Sequence, residues 1–402
     1  MSFNTLHSER DCLILGGGII GLSIAWELSK LGKQVCILEA AEIASGQPGA
    51  SSWAGAGILP ASPQKNVVDP LDALKALSHG LLHDWALELS AQTSIDIGYR
   101  QCGGIHLALS PAELATLVAQ EMWWNEHGIL YERLDAEQLQ QVEPGLFQIP
   151  KKNATSRADI LAGWLLPEEA QIRNPDLLKA LKMACNNSGV QLVEHCSIQN
   201  LQTDDDGTVL GAQAADGTVW NAKHFCLCAG AWTKRLIEQF ECPNGLMPIR
   251  GQMLLYEFAS PPIRHVINEG NRYIVPRDSG HVLCGSVEEE VGFKVADNPR
   301  ALQEIRTWAE SVLPRLQAEE PCRTWCGLRP GSFDGLPYLG PVPEHKNLSI
   351  ASGHFRSGIH LAPATAACMA HHICGPSAEN GTAKLKAAGQ MIDLHPFRLA
   401  RG

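Results

Sequence analysis

The hydrophobic pattern near the start of the chain predicts a strand, a helix and a second strand. Residues 12–15 form a short apolar run. Apolar side chains then recur every three or four positions over residues 20–31, which is the spacing of one helical face. Residues 35–38 are again apolar and partly β-branched. The order strand, helix, strand is typical of an α/β unit.

Helical spacing and capping residues predict further helices along the chain. They cover residues 70–90, 111–127, 174–189 and 299–313. The second is the best defined, because Ser110 fits an N-cap, Pro111 the first helical position and Glu113 the acid of a capping box.

Short runs typical of β-strands lie between these helices. Their order predicts an α/β protein with a Rossmann-like domain and a second domain that has a mixed or antiparallel sheet and helices, both built from discontinuous segments. The predicted strands are 104–109, 190–195, 208–213, 219–220, 224–228, 253–258, 272–275, 282–286 and 348–351.

A glycine-rich turn joins the first predicted strand to the first helix. Residues 16–21 read G-G-G-I-I-G, which fits the G-x-G-x-x-G motif, and Glu39 ends the second strand. In this context the motif predicts a dinucleotide site, with phosphates at the helix N-terminus and the acid near ribose hydroxyls. The turn alone does not separate FAD from NAD. The predicted contacts are Gly16, Gly18, Ile19, Ile20, Gly21, Glu39 and Ala40.

Two stretches of small residues predict close approach to the same ligand. Residues 45–57 leave the strand that carries Glu39, and we interpret them as a loop over the cofactor instead of a mobile surface loop. The strand at 224–228 ends in Ala229-Gly230, which would also lie near the dinucleotide. The predicted contacts are Ser51, Ser52, Gly55, Ala56, Gly57 and Gly230.

The C-terminal part of the chain favours FAD. The predicted strand 348–351 runs into G-H-F-R-S-G and a helix from about Ile359. A flavin needs such a second closing motif, because its ring must be fixed far from its pyrophosphate. The predicted contacts are His354, Phe355, Arg356, Ser357, Gly358 and Ile359.

Composition narrows the classes of partner. The chain has 402 residues, of which 45% are hydrophobic and 19% charged, and a formal net charge of −11. This length predicts two domains, and the acidic balance argues against nucleic acid as the main partner. No apolar run reaches the length of a transmembrane helix, and the polar first ten residues are not typical of a signal peptide.

Cysteine usage predicts a reduced, cytoplasmic protein. The thirteen cysteines include no C-x-x-C pair, and their spacing fits no disulfide framework. Cys368, His371, His372 and Cys374 fall on one predicted helix. We interpret them as packed side chains, and we predict no metal site.

The sequence resembles the D-amino-acid-oxidase-type flavoproteins, and among them the glycine oxidases. The resemblance covers nearly the whole chain. Its most specific motifs are W-x-G-L-R-P-G-x-x-D-G-x-P-Y-x-G from Trp325 and G-H-F-R-x-G-I-x-L-A-P-A-T from Gly353. The supporting stretches are 16–39, 103–104, 228–232, 248–251 and 273–277.

This resemblance implies an activity. It implies non-covalent FAD and oxidation of glycine, small amines or D-amino acids by hydride transfer from Cα to flavin N5. The products would be an imino acid, then an oxo acid and ammonia, with hydrogen peroxide from molecular oxygen. A role in thiamine biosynthesis is also implied, and a homo-oligomer is left open.

Four residues receive roles from the resemblance. Arg329, in the G-L-R-P motif, would bind the substrate carboxylate through two parallel hydrogen bonds. Tyr273 would line the substrate pocket, and Arg356 would lie near the substrate through its side chain or its backbone. Ile198 would make a backbone contact to the adenine. The alternatives are a structural arginine for Arg329 and a core tyrosine for Tyr273.

Departures from the family pattern put the size and polarity of the pocket in doubt. Trp53 is bulky for the cofactor loop, and residues 287–290 read V-E-E-E where an apolar residue is expected.

Three other activities are compatible with a flavin-binding fold. A D-amino-acid dehydrogenase would pass electrons to a quinone, a sarcosine-oxidase-like enzyme would carry covalent flavin on a cysteine such as Cys326, and a flavin domain could act on a tRNA base.

The order of the motifs also predicts domain boundaries. The FAD-binding domain is predicted to contain residues 1–90, 150–245 and 325–402. The substrate-binding domain is predicted to contain residues 91–149 and 246–324.

Overall fold

The computed structural model describes residues 10–148, 158–240, 242–375 and 392–401. The strands are β1 (Arg10–Leu15), β2 (Val35–Leu38), β3 (Ile58–Leu59), β4 (Gly104–Ala108), β5 (Glu132–Leu134), β6 (Ala162–Leu166), β7 (Ala170–Gln171), β8 (Gln191–Val193), β9 (Ile198–Thr203), β10 (Val209–Ala214), β11 (Val219–Trp220), β12 (Ala222–Leu227), β13 (Met247–Glu257), β14 (Val266–Glu269), β15 (Arg272–Pro276), β16 (His281–Gly285), β17 (Arg323–Gly331), β18 (Tyr338–Pro341) and β19 (Leu348–Ser352).

Helices connect these strands, and those that the sequence predicted are present with shifts of a few residues at their ends. The helices are α1 (Ile19–Lys30), α2 (Ser51–Ala54), α3 (Pro70–Thr93), α4 (Pro111–His127), α5 (Ala136–Val142), α6 (Asn174–Asn187), α7 (Thr233–Ile237), α8 (Pro299–Val312) and α9 (Gly358–Cys374). No helix in the described ranges is long and apolar enough to cross a membrane.

A six-stranded sheet forms the middle layer of the first half of the fold. Its order is β18-β19-β12-β1-β2-β8, and the five strands from β19 to β8 are parallel. Alternate residues of β1 and β2 enter different cores. Ile14 and Ile37 pack with α1, α3, α6 and α9, whereas Leu13 and Leu38 pack against β9 and β10. The strands are therefore buried on both faces, which explains their continuous apolar runs.

An eight-stranded sheet organises the second half of the fold. Its order is β17-β13-β16-β15-β14-β4-β6-β5, and its pairs are antiparallel except for β14 with β4. The long strand β13 pairs with both β16 and β17. Helix α8 covers one face of this sheet, where Trp308 and Ile305 pack with Leu254 and Cys284. The sheet is mixed, as predicted from the sequence.

The two sheets contain strands from segments far apart in the chain. Strands β6 and β17 belong to the eight-stranded sheet, although the sequence-based boundaries place them in the FAD-binding domain. The domain division stays a proposal, and the sheet pairing favours moving both strands into the substrate-binding domain. Helix α2 packs on β17, and a bridge between Gly49 and Gly327 joins the cofactor loop to that strand.

Candidate active site

A cavity of about 840 Å³ opens at the carboxyl edge of the parallel strands. Residues following β2, β1, β12 and β19 line it, and these strands lie in that order across the sheet. Neighbouring strands are about 4.8 Å apart, so the four strand ends span roughly 14 Å. Ligands of open α/β sheets bind outside the carboxyl ends of the strands. This edge can therefore hold an extended ligand.

The first turn at this edge requires glycine at two positions. Gly16 has a φ of +119°, and a Cβ there would lie 2.5 Å from the Cys228 carbonyl oxygen. A Cβ at Gly21 would clash with the Gly16 carbonyl oxygen. Gly21 does not line the cavity, so its predicted role in packing α1 against the turn fits the structure better than a direct contact to a ligand.

Glu39 is fixed at the end of β2 by the backbone of the same turn. Its Oε2 accepts a hydrogen bond from the Gly17 N–H at 2.7 Å, and its Oε1 accepts from the Ala41 N–H at 3.0 Å. The side chain lines the cavity together with Ala40 and Ile198. Its carboxylate oxygens keep further lone pairs for ribose hydroxyls, and that role stays a prediction.

The segment 51–57 forms one wall of the cavity and contains α2. Ser52 Oγ accepts from the Ile19 N–H at 3.1 Å, which ties this wall to the start of α1. Asn174 Nδ2 donates to the carbonyl oxygens of Ser52 and Gly55, at 2.8 and 3.0 Å. The sequence indicated Asn174 only as the start of a helix. No signal in the sequence connects it with a loop more than a hundred residues earlier.

Residues 353–359 close the opposite end of the cavity. His354 is buried, its Nε2 lies 3.1 Å from Thr365 Oγ1, and its Nδ1 has no partner among the described atoms. Burial lowers the pKa of His354 to about 3, so the ring is neutral. The N-terminus of α9 begins directly after this loop at Gly358. Its first N–H groups have no intrahelical acceptor and favour a ligand with negative charge.

The buried histidines of this wall predict a stability that depends on pH. Burial lowers the pKa of both His354 and His360 to about 3, from an ordinary 6.5. Below pH 6.5 the unfolded chain binds these protons and the folded protein does not. The free energy of unfolding therefore decreases as the pH is lowered. Each histidine should reduce the free energy of unfolding by about 1.4 kcal/mol per pH unit.

Urea unfolding at pH 5 and pH 7 measures this effect. We expect the free energy of unfolding to decrease between pH 7 and pH 5 by about 2 kcal/mol less in His360→Gln than in the unchanged protein. An identical slope in the two proteins would show that His360 protonates within the folded state.

Three side chains that the sequence assigned to the substrate meet at one end of the cavity. Arg329 Nη1 donates to the Val287 carbonyl oxygen at 2.9 Å, and its Nη2 donates to Ser286 Oγ at 2.5 Å. Tyr273 is buried and donates to Met253 Sδ at 3.4 Å. All three assigned residues, including Arg356, line the cavity.

The side chain of Arg356 reaches this end of the cavity, and its contact with the substrate stays a prediction. Its Nη1 donates to Glu288 Oε1 at 2.6 Å, and its Nη2 donates to the Asn271 carbonyl oxygen at 2.9 Å. The guanidinium carbon lies 5.9 Å from the centre of the Tyr273 ring. The acidic stretch 287–290 therefore supplies a partner for Arg356.

Arg329 and Arg356 differ in their charged partners. Arg356 is paired with a carboxylate, whereas the partners found for Arg329 among the described residues are neutral oxygens. A guanidinium that carries an uncompensated charge beside a cavity is suited to bind a ligand carboxylate.

Cys326 does not line the cavity. Gly327 and Arg329 on the same strand do, and side chains alternate along a strand. The Cys326 thiol faces Asp297 and Arg250 instead, and burial raises its pKa. This placement does not favour a covalent link between Cys326 and a flavin. Metal-ligating side chains do not form any group of three or more in the described part of the chain.

Comparison with known proteins identifies the family. Residues 11–372 match the DAO family of FAD dependent oxidoreductases. The chain belongs to this family. The glycine oxidase of Geobacillus kaustophilus is 31% identical to it over 393 residues, which are 97% of each chain. The crystal structure of glycine oxidase from Geobacillus kaustophilus superposes with a TM-score of 0.85 at 28% identity, over 98% of this chain and 100% of that one.

A second kind of relative is longer than this chain. The bifunctional protein ThiO/ThiG of Trichormus variabilis is 32% identical over 374 residues, which are 90% of this chain and 52% of that protein. The chain thus spans about half the length of these bifunctional relatives. The matches confirm the predicted family, its resemblance to glycine oxidases and the fold class.

The cavity of this DAO-family chain fits FAD. The glycine turn and the start of α1 lie at β1, between Glu39 at β2 and the closing segment 353–359 at β19. The strand ends that line the cavity span roughly 14 Å, so a ligand bound there would lie extended across them. The unpartnered Nδ1 of His354 at the far end offers a hydrogen-bonding group to a bound ring.

Proposed function

We propose that the protein is an FAD-dependent oxidase of glycine and small amines or D-amino acids. The expected products are an imino acid, then an oxo acid and ammonia, with hydrogen peroxide from oxygen. The observation that carries the proposal is Arg329, which lines the end of the cavity beside Tyr273 and has neutral partners. FAD, when bound without a covalent link, supplies the acceptor for a hydride from the substrate Cα.

The side chains at this end would bind and orient the substrate. Arg329 would donate two parallel hydrogen bonds to the carboxylate, and the Tyr273 hydroxyl would donate a third. Met253 and the ring of Tyr273 form an apolar wall that excludes water. Amine oxidation by hydride transfer needs no strong protein base. The histidines that line the cavity, His354 and His360, have pKa values lowered to about 3, so neither would take up the proton of the substrate ammonium, and the amine would lose that proton to solvent before hydride transfer.

Hydrogen peroxide formation tests this proposal. We expect peroxide with at least one member of a panel of glycine, sarcosine, D-alanine and D-proline, and yellow FAD released into the supernatant after acid precipitation. Substrate reduction of the flavin without peroxide, followed by reduction of a quinone, would instead support a D-amino-acid dehydrogenase. A yellow pellet would support a covalent flavin of the sarcosine-oxidase type.

Other parts of the sequence-based interpretation stay predictions. They include the cytoplasmic location, which rests on the cysteine pattern, and the role in thiamine biosynthesis.

A further inference from the structure

The substrate end of the cavity contains two arginines, and one of them is already neutralised. Arg356 Nη1 lies 2.6 Å from Glu288 Oε1, and the two side chains are only 29% and 33% exposed. A second bond from Nη2 to the Asn271 carbonyl oxygen fixes the guanidinium in place. Partial burial strengthens such a pair relative to one in open solvent. The positive charge of Arg356 is therefore offset by an adjacent carboxylate while Glu288 is ionised.

Of the three acids in the stretch 288–290, Glu288 is the one that pairs with Arg356. Glu289 Oε2 accepts from Arg250 Nε and Gln252 Nε2, both at 2.9 Å, and its Oε1 accepts from Asn298 Nδ2. Glu289 thus belongs to a separate network. Glu290 is exposed, and the described residues show no ion pair to it.

The same segment also holds Arg329, but through neutral groups. Arg329 bonds to the Val287 carbonyl oxygen and Ser286 Oγ, directly before Glu288. The segment therefore leaves Arg329 without a carboxylate partner and pairs Arg356 with one. A ligand with one carboxylate can pair with Arg329. A ligand with a second carboxylate would meet an arginine whose charge is cancelled, and would also meet the nearby acid.

We propose that Glu288 determines substrate specificity by restricting the site to amino acids with a single carboxylate. The proposal rests on the proposed function and adds the substrate class. Substrates of the form R–NH–CH2–COO⁻ with a neutral R are accepted. Analogues with an acidic R are rejected, because their second carboxylate finds no free cation.

Glu288→Gln should relax this restriction. The amide keeps the size of the side chain and can still accept a hydrogen bond, but it releases the charge of Arg356. In the FAD-loaded protein, titration of the flavin absorbance compares the binding of propionate, which has one carboxylate, with that of succinate, which has two. We expect succinate to bind on the order of tenfold more tightly to Glu288→Gln than to the unchanged protein, and propionate to bind about equally to both.

Two controls isolate the charge of Arg356. Glu290→Gln removes the same charge from the same stretch without touching Arg356, and it should leave succinate binding unchanged. In an Arg356→Gln background, Glu288→Gln should give no gain in succinate binding, since the cation is gone. A gain that persists in that background would overturn the proposal, because it would show a general effect of net charge.

A pair of substrates tests in the reaction whether Glu288 restricts the site to a single carboxylate. Sarcosine and iminodiacetate differ only by the second carboxylate. Under anaerobic conditions we expect Glu288→Gln to raise the ratio of flavin reduction rates, iminodiacetate over sarcosine, by about tenfold. An unchanged ratio together with unchanged succinate binding would refute the role of Glu288. If the unchanged protein oxidised none of the amines, the proposed function itself would fail, and the succinate titration would still report on Glu288.

Discussion

Arg329→Met should lower kcat/KM for glycine by at least about thirtyfold while leaving the flavin content intact. Loss of a charge-assisted bidentate pair to a carboxylate costs about 2–5 kcal/mol, which is roughly 30- to 5000-fold. Arg329 lies on β17 of the eight-stranded sheet, whereas the glycine turn and Glu39 follow β1 and β2 of the six-stranded sheet. Steady-state kinetics and the flavin absorbance of the same preparation measure the two effects.

Two further variants show whether the effect belongs to the guanidinium of Arg329. Arg329→Lys keeps the charge but loses the bidentate geometry, so it should recover part of the activity. Arg300→Met removes an exposed arginine on α8, whose side chain is 89% exposed, and should act like the unchanged protein. If Arg329→Met lost less than about tenfold in kcat/KM and mainly lowered Tm, Arg329 would be a structural residue that holds Ser286 and Val287.

Gly18→Val should yield a folded protein that lacks FAD. Gly18 has a φ of −78° and a ψ of −175°, which is an extended backbone that any residue adopts. A Cβ there would have Ser52 Oγ, 3.2 Å away, as its neighbour, and a small shift of that side chain would accommodate it. The valine side chain would nevertheless occupy the cavity before α1, where a pyrophosphate would bind. We expect FAD affinity to fall at least about a hundredfold, measured by flavin fluorescence, with a circular dichroism spectrum close to native.

A second glycine variant separates binding from folding. Gly21→Val places its side chain against the Gly16 carbonyl oxygen, so we expect loss of the folded protein and not only of the cofactor. Full flavin content in Gly18→Val would mean that the phosphates do not approach this turn.

The first turn and the element pattern of this fold could be predicted from the sequence because they depend on local rules. Capping at Ser110 and the left-handed Gly128 fix α4 at the predicted ends. The strands of the parallel sheet are buried on both faces, and this gives apolar runs that are visible in the sequence. Residues 16–20, 38–39 and 354–359 line one cavity, and their contacts to a cofactor stay a prediction.

The remaining features depend on contacts between distant parts of the chain. Strand β4 pairs in parallel with β14, and no local pattern specifies that partner. Asn174 bonds to the wall at Ser52 and Gly55, and Glu288 pairs with Arg356. Each side chain is ordinary for its own helix or loop. Only the folded chain shows which residues they meet, and the acidic stretch that looked unsuited to the pocket is explained by one such contact.

The position of β19 in the parallel sheet affects the order of events during synthesis. β19 covers the edge of β12, yet the chain between them runs from residue 227 to residue 348. At roughly 5–20 residues per second, translation of this interval takes about 6–24 s. During this time the backbone groups on one edge of β12 have no partner strand. The far wall of the cofactor cavity does not exist until the ribosome has passed α9. Flavin can therefore stabilise only the nearly finished polypeptide, and until then the edge of β12 stays open to pairing with other strands.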